Sequence, residues 1–139
     1  SRFFLVNPGL IDDPDKRGDQ SDIGNRYFEG AAAGCVLVGE VPEVREFAGL
    51  FDWPDAVIRL PVCSDKIDGV IAEIGSQPAR EEDIHRNNMA HSLRRHDWAH
   101  RWESLLKIAG LPPMAALAQR KAHLEGLARS IEDRPAARD

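Results

Sequence analysis

RYFEGAAAGCVLVGE, residues 26 to 40, decides how this chain is read. A carboxylate, Glu29, opens a run of glycine and alanine. The run turns at Gly34 straight into the apolar stretch Cys35-Val36-Leu37-Val38. A helix that had only to fill a core would carry Leu or Ile here. Tiny side chains let a backbone approach a neighbour closely, and Gly34 is a good helix stop. The stretch therefore reads as a helix packed tightly on something, followed at once by a buried strand.

Working outward, Ile23, Tyr27, Phe28, Ala31 and Ala32 form the apolar stripe of an amphipathic helix from about Asp22 to Ala33. Asn25, Arg26 and Glu29 fall on its polar stripe. Upstream, Phe3-Phe4-Leu5-Val6 is an unbroken apolar run ended by Asn7-Pro8-Gly9, as in a strand buried in a parallel sheet. Residues 8–21 read as a loop longer than a connection needs, which makes them a functional candidate or a mobile segment. Downstream, residues 35–39 predict a second strand, 44–50 a short helix, 51–55 a turn and 56–60 a third strand. Ser64 or Asp65 can cap the next helix, with Ile67, Val70, Ile71 and Ile74 as its buried stripe. Gln77-Pro78 breaks it, and Glu81, Glu82 and Asp83 suit the start of a helix that runs toward Arg95. Asp97 caps another, with Trp98, Trp102, Leu105, Leu106 and Ala109 on one face. Gly110-Leu111-Pro112-Pro113 separates a last helix striped by Met114, Leu117, Leu124, Leu127 and Ile131. The tail from Arg134 reads as disordered.

The order β-α-β-α-β followed by helices implies an α/β fold: a three-layer, Rossmann-like, short parallel sheet flanked by helices, with extra C-terminal helices. The strands are expected in sequential spatial order, with helices 65–76 and 97–109 covering the sheet. Residues 1–110 read as a partial α/β domain, and 111–139 as a C-terminal helix and disordered tail. The chain has 139 residues, enough for one core. Its start, Ser-Arg followed at once by an apolar run, suggests a piece of a longer protein. The net charge of -5 argues against nucleic acid as a partner. Cys35 and Cys63 sit at the start and end of apolar runs and read as buried free thiols, which favours a cytoplasmic setting. No apolar run approaches the ~18 residues of a membrane span.

In an open parallel sheet, ligands bind at the carboxyl ends of the strands, where helix N-termini favour anions. The first strand ends at Asn7, and the following helix begins near Asp22-Ile23-Gly24. Gly24 removes the Cβ where a phosphate would approach backbone amides. Glu29 follows just over a turn later, and a carboxylate accepts hydrogen bonds from two vicinal hydroxyls, as on a ribose. The physical reading is a nucleotide or nucleotide-sugar site. The structural alternative has Glu29 paired only with Arg26, and the small residues serving only helix–sheet packing. His96 and His100 have the spacing of two metal ligands on a helix, but no ligand set accompanies them, and no cofactor is expected. Trp98 and Trp102 read as core. Nothing resembles a Ser-His-Asp or Cys-His nucleophile.

The segment SDIGNRYFEGAAAG resembles the C-terminal half of GT-B fold glycosyltransferases, whose motif reads roughly Glu-x-Phe-Gly-x-x-x-x-Glu-Ala-x-Ala-x-Gly. Gly24 falls on the motif glycine, Glu29 on its second glutamate and Gly34 on the glycine before the next strand. HRNNMAHSLRRHDWAHRWESLL is similar to the C-terminal helices of the group-1 type, and His96 and Arg101 match its His-x-x-x-x-Arg spacing. The resemblance covers roughly residues 3–110. It implies a nucleoside diphosphate sugar as donor, Glu29 on the ribose, and the backbone of Ile23, Gly24 and Asn25 facing the diphosphate. The motif's first glutamate, which contacts the donor sugar in the family, falls on Ser21, with Asp22 or Asp19 as substitutes. The family's basic phosphate clamp has only Lys16 and Arg17 as stand-ins.

These readings lead to the donor-binding part of a glycosyltransferase, acting on an unknown acceptor and inactive as residues 1–139 alone. A homodimer is expected through the exposed edge of the first strand or the apolar faces of the C-terminal helices. The runner-up is a non-catalytic α/β interaction or dimerisation domain with a degenerate nucleotide site. A receiver-like domain is disfavoured, because the acidic cluster and lysine it needs at strand ends are not evident.

Overall fold

The computed structural model describes residues 2–9, 14–17 and 22–134. In chain order they form β1 (Phe3–Val6), α1 (Pro14–Arg17), α2 (Asn25–Ala32), β2 (Val36–Gly39), α3 (Arg45–Leu50), β3 (Ile58–Arg59), α4 (Ile67–Gly75), α5 (Pro78–Arg95), α6 (Trp98–Ile108) and α7 (Ala115–Glu132). The strands make a parallel sheet in the order β1-β2-β3, with Phe3 opposite Val36 and Val38 opposite Ile58. The fold is the expected Rossmann-like one: α/β, a short parallel sheet flanked by helices.

Strand alternation divides the core in two. Leu37 points to one face, where it joins Val6, Tyr27, Ala31, Phe47 and Phe51 beneath α2 and α3. Val36 and Val38 point to the other, where they meet Ile74 of α4 and Ile84 of α5. All three of these β2 residues are fully buried. This is why the sequence shows an unbroken apolar run there rather than an alternating one.

The opening stretch shows what its small residues approach. A Cβ on Gly30 would lie 2.4 Å from Leu37 Cδ2 and 2.9 Å from Phe4 Cδ1. The neighbour is the sheet itself, and Gly30 sets how closely α2 sits on it. Gly34 ends the helical run at φ +68°, and a Cβ there would also meet Met89. The backbone then enters β2 within two residues.

Helix α5 ties the layers together. Asn88, fully buried, accepts from Trp53 Nε1 at 2.7 Å and donates to the Cys35 carbonyl at 2.8 Å. Glu81, also buried, receives Arg2 Nε at 2.7 Å and lies 3.2 Å from His85 Nε2, while His85 Nδ1 meets the Gly34 carbonyl. These contacts lock α5 to the amino ends of β1 and β2. Its outer side carries α7 through Arg94, which binds Glu125 at 2.9 Å and Glu132 at 2.8 Å.

Several sequence expectations are corrected. α4 and α5, rather than helix 97–109, cover the second face of the sheet. α6 instead packs against α7. It leaves Trp98 67%, Trp102 54%, Leu105 53% and Ile108 84% exposed, so the tryptophans are not core. An amphipathic period specifies an apolar face but not the element that covers it. Cys63 is exposed; only Cys35 is buried. The long loop holds a one-turn helix, α1. The third strand shortens to two residues. No side chain caps α4. Asp97 does cap α6, accepting from Ala99 N at 2.9 Å. The expectations for residues 10–13, 18–21 and 135–139 lie outside the described residues.

Candidate functional site

The carboxyl ends of β1, β2 and β3 form one rim. At that rim the Asn7 side chain accepts from Glu40 N at 3.4 Å. Tyr27 reaches it from α2, its hydroxyl donating to the Glu40 carbonyl at 2.7 Å. Tyr27 is fully buried, and burial pushes its pKa well above the usual phenol value, with the Glu40 and Asp22 charges adding to it. The phenol is therefore a permanent donor, and it pins the first turn of α2 to the end of β2.

Gly24 is the N-cap residue of α2, and a Cβ there would meet only the Asn7 carbonyl, at 4.0 Å. The helix thus begins beside the end of β1. No side chain caps it and no acidic residue lies in its first turn. The leading amides of a helix have no intrahelical partner. They present positive partial charge at this rim.

The structure places the expected site residues unevenly. Ile23, Gly24 and Asn25 come together at the head of α2, with Asn25 exposed and the other two half-buried. Asp22 is exposed and accepts from Gly9 N at 3.0 Å, so it braces the loop after β1. Glu29 lies five residues beyond Gly24, about 7.5 Å along the axis. It is exposed, and among the described residues no ion pair joins it to Arg26. Ser21, the motif's first-glutamate position, lies outside the described residues, as does the side chain of Arg17. Lys16 is engaged in an interaction.

One cation at the rim escaped the sequence reading. Arg59, the last residue of β3, is exposed and lines a cleft of about 80 Å³ with Glu40, Val41, Glu43 and Pro61. Two strand spacings separate it from β1, about 10 Å at the usual spacing. Its signal in sequence was the single charge breaking the run Ala56 to Leu60. The cleft is far below the ~300–1,000 Å³ of a typical ligand site. Among the described residues the rim is a shelf with this shallow cleft.

His96 and Arg101 have no place at this rim. His96 is packed among aromatic rings, with centroids 4.9 Å from Phe28 and 5.1 Å from Phe51. Burial holds its pKa down at about 4. Arg101 lies over the Phe28 ring at 5.4 Å and the Trp98 ring at 5.1 Å. His100 sits 3.2 Å from the Leu93 carbonyl. Among the described residues no three His, Cys, Asp or Glu side chains are grouped to hold a metal ion. No described helix is long and apolar enough to cross a membrane.

A short parallel sheet flanked by helices defines a Rossmann-like α/β domain. Residues 2–107 match the family model described as glycosyl transferase-like, and the chain belongs to that family. The match runs from the start of β1 through nearly all of α6. No curated protein and no solved structure matches the chain.

Proposed function

We propose that the chain is the donor-binding part of a glycosyltransferase and holds a nucleoside diphosphate sugar on the shelf at the carboxyl end of its sheet. The observation that carries this reading is the start of α2. It is an uncapped helix N-terminus, free of Cβ at Gly24, set beside the end of β1 and followed by an unpaired Glu29 on the exposed stripe. The amides of Ile23, Gly24 and Asn25 face the diphosphate, and Glu29 accepts from the ribose hydroxyls. Asp22 braces the loop by accepting from Gly9 N, and the family motif assigns the donor-sugar contact to the position of Ser21. Arg59 at the end of β3 is a described cation on the same rim that offsets phosphate charge in this reading. As the bond to the sugar breaks, charge grows on the leaving diphosphate, and preorganised helix amides stabilise it more than they stabilise the bound donor.

Residues 1–110 carry this unit in the proposal. The acceptor side, and the closure that keeps water from the reaction, come from outside it. The chain alone is then expected to bind nucleotide weakly and to transfer no sugar. The alternative is a non-catalytic α/β interaction or dimerisation domain with a degenerate nucleotide site, favoured by the small volume of the described cleft.

Nucleotide affinity separates the two. Two charge-assisted hydrogen bonds from Glu29 are each worth roughly 1.5–3 kcal/mol before solvent competition. In the intact parent protein Glu29→Ala should weaken UDP, GDP or ADP binding about 10- to 100-fold in calorimetric titration. Thermal stability should shift by no more than ~0.5 kcal/mol. A 2′-deoxy nucleotide should bind the wild type more weakly and lose little further on mutation. Equal affinity of all nucleotides for both proteins would reject the assignment.

A further inference from the structure

Away from the shelf, α2, α5 and α7 border an open-mouthed cavity of about 470 Å³. That is within the ordinary range of small-molecule sites. Its walls are apolar: Phe28 and Ala32 from α2, Met89 and Leu93 from α5, Leu127 and Ile131 from α7. The polar side chains deeper in the lining offer a ligand nothing. Ser92 Oγ and His96 Nε2 have essentially no accessible surface, and the His96 ring is held by the Leu50 backbone. Asp97 accepts from Ala99 N at 2.9 Å and is paired with Arg120 at 2.7 Å. Ser130 Oγ donates to the Leu127 carbonyl at 2.7 Å. A ligand segment with a polar group of its own would lose water there without replacement.

Arg134 is the exception. It lines the cavity and stands exposed at its mouth. Its carbonyl accepts from Arg86 Nη1 at 2.9 Å, which ties down the backbone that carries it. Arg80, Arg94, Arg95 and Arg120 each hold a carboxylate. Among the described residues no carboxylate pairs with the Arg134 guanidinium. The cavity is thus an apolar slot with one uncommitted cation at its mouth.

We propose that this cavity binds an amphiphilic anion, a free medium-chain carboxylic acid, with its hydrocarbon tail between α2, α5 and α7 and its carboxylate on Arg134. The class follows from charge complementarity. A guanidinium is always protonated, and its planar fork takes a carboxylate through two N–H donors. The head stays at the mouth, where it keeps part of its hydration, and only the tail enters the apolar walls. An alcohol of the same length leaves the cation unused, and an alkylammonium is repelled by it. Leu127, Ile131 and Arg134 lie beyond residues 2–107, the span matched by the family. The site is therefore independent of the nucleotide reading, and on α2 it uses Phe28 and Ala32 rather than Gly24.

The test uses octanoate, octan-1-ol and octylammonium as probes. The full 139-residue chain, labelled with ¹⁵N, is titrated with each at low ionic strength and followed by amide chemical shifts. Octanoate should move the amides of Phe28, Met89, Leu93 and Leu127 in a saturable way. It should bind about three- to fivefold more tightly than octan-1-ol, the worth of one exposed ion pair. Octylammonium should bind more weakly than the alcohol, and high salt should shrink both differences. Arg134→Gln should abolish the preference for octanoate while leaving octan-1-ol affinity unchanged. Ala32→Phe, which fills the cavity from an exposed position, should weaken all three. If octanoate shifts none of these amides below its micelle-forming concentration, the proposal fails. It also fails if wild type binds octan-1-ol or octylammonium as tightly as octanoate, a comparison that needs no variant to fold.

Discussion

Gly24 and Gly30 stand six residues apart, and the structure gives them opposite jobs. A Cβ on Gly30 would overlap Leu37 and crowd Phe4, whereas one on Gly24 would meet nothing nearer than 4.0 Å. Gly30→Ala should therefore destabilise the fold by about 1–3 kcal/mol, as overpacked sites do. Gly24→Ala should leave stability within ~0.5 kcal/mol, while lowering nucleoside diphosphate affinity if phosphate approaches the α2 amides. Chemical denaturation of both variants beside a nucleotide titration reads the two roles separately. A Gly24→Ala protein that melts like Gly30→Ala would make Gly24 a packing residue. In sequence both glycines belong to one small-residue helix. Alignment with the family motif singles out Gly24, but the pressure on Gly30 exists only once Leu37 lies beneath it.

At the scale of elements, the junction between α5 and α6 is held by an aromatic cluster around His96. Phe28 of α2, Phe51 and Trp53 surround its ring, and Trp53 also stacks on His91 at 4.5 Å. Burial, with Arg95 repelling the proton, lowers the pKa of His96 to about 4. The unfolded chain takes up that proton below the ordinary imidazole value of about 6.5. Folding is thus favoured by the neutral ring above about pH 6.5, and that contribution fades as pH falls toward about 4. It amounts to about 2 kcal/mol after discounting for partial solvent access. The carboxylates held low by arginines, Glu81 and Asp55 among them, act only at more acid pH. His96→Phe keeps the ring packing and removes the titration. Its melting temperature should fall less than that of wild type between pH 7.5 and 4.5. Parallel curves would place the acid sensitivity elsewhere. Asn88 shows why such junctions are hard to read ahead of the structure. It looks like one more polar residue on a polar helix, yet Trp53 Nε1 and the Cys35 carbonyl make it a core residue.

At the scale of the whole molecule, and among the described residues, apolar side chains stand exposed on the β1 edge and on α6. Leu5, on the edge strand β1, is 57% exposed. Trp98, Trp102, Leu105 and Ile108 line one face of α6. Contiguous exposed apolar surface of this kind marks an interaction site. We expect the chain to dimerise through α6, with the β1 edge as the second candidate. Analytical ultracentrifugation at about 100 μM, a concentration that populates weak dimers, should show a dimer. Trp102→Glu should return it to monomer, and Leu5→Lys should do so only if the edge is used. A strict monomer in wild type rejects both.

The parallel α/β order, the strand sequence and most helix boundaries follow from the sequence by itself. Apolar period, glycine stops and the Asp97 cap are local signals, and each acts within a turn or two of chain. The family motif likewise placed Gly24 and Glu29 at the head and on the outer stripe of one helix before any packing was known. Tertiary structure alone decided which apolar faces found partners. α5 covers the sheet, and α6 does not. It also decided that Asn88 is core, that Cys63 and the α6 tryptophans are exposed, and that Arg59 reaches the shelf. Burial is a property of long-range contact. A helix's period specifies a face to be covered, but the length and course of the intervening chain determine which element arrives to cover it.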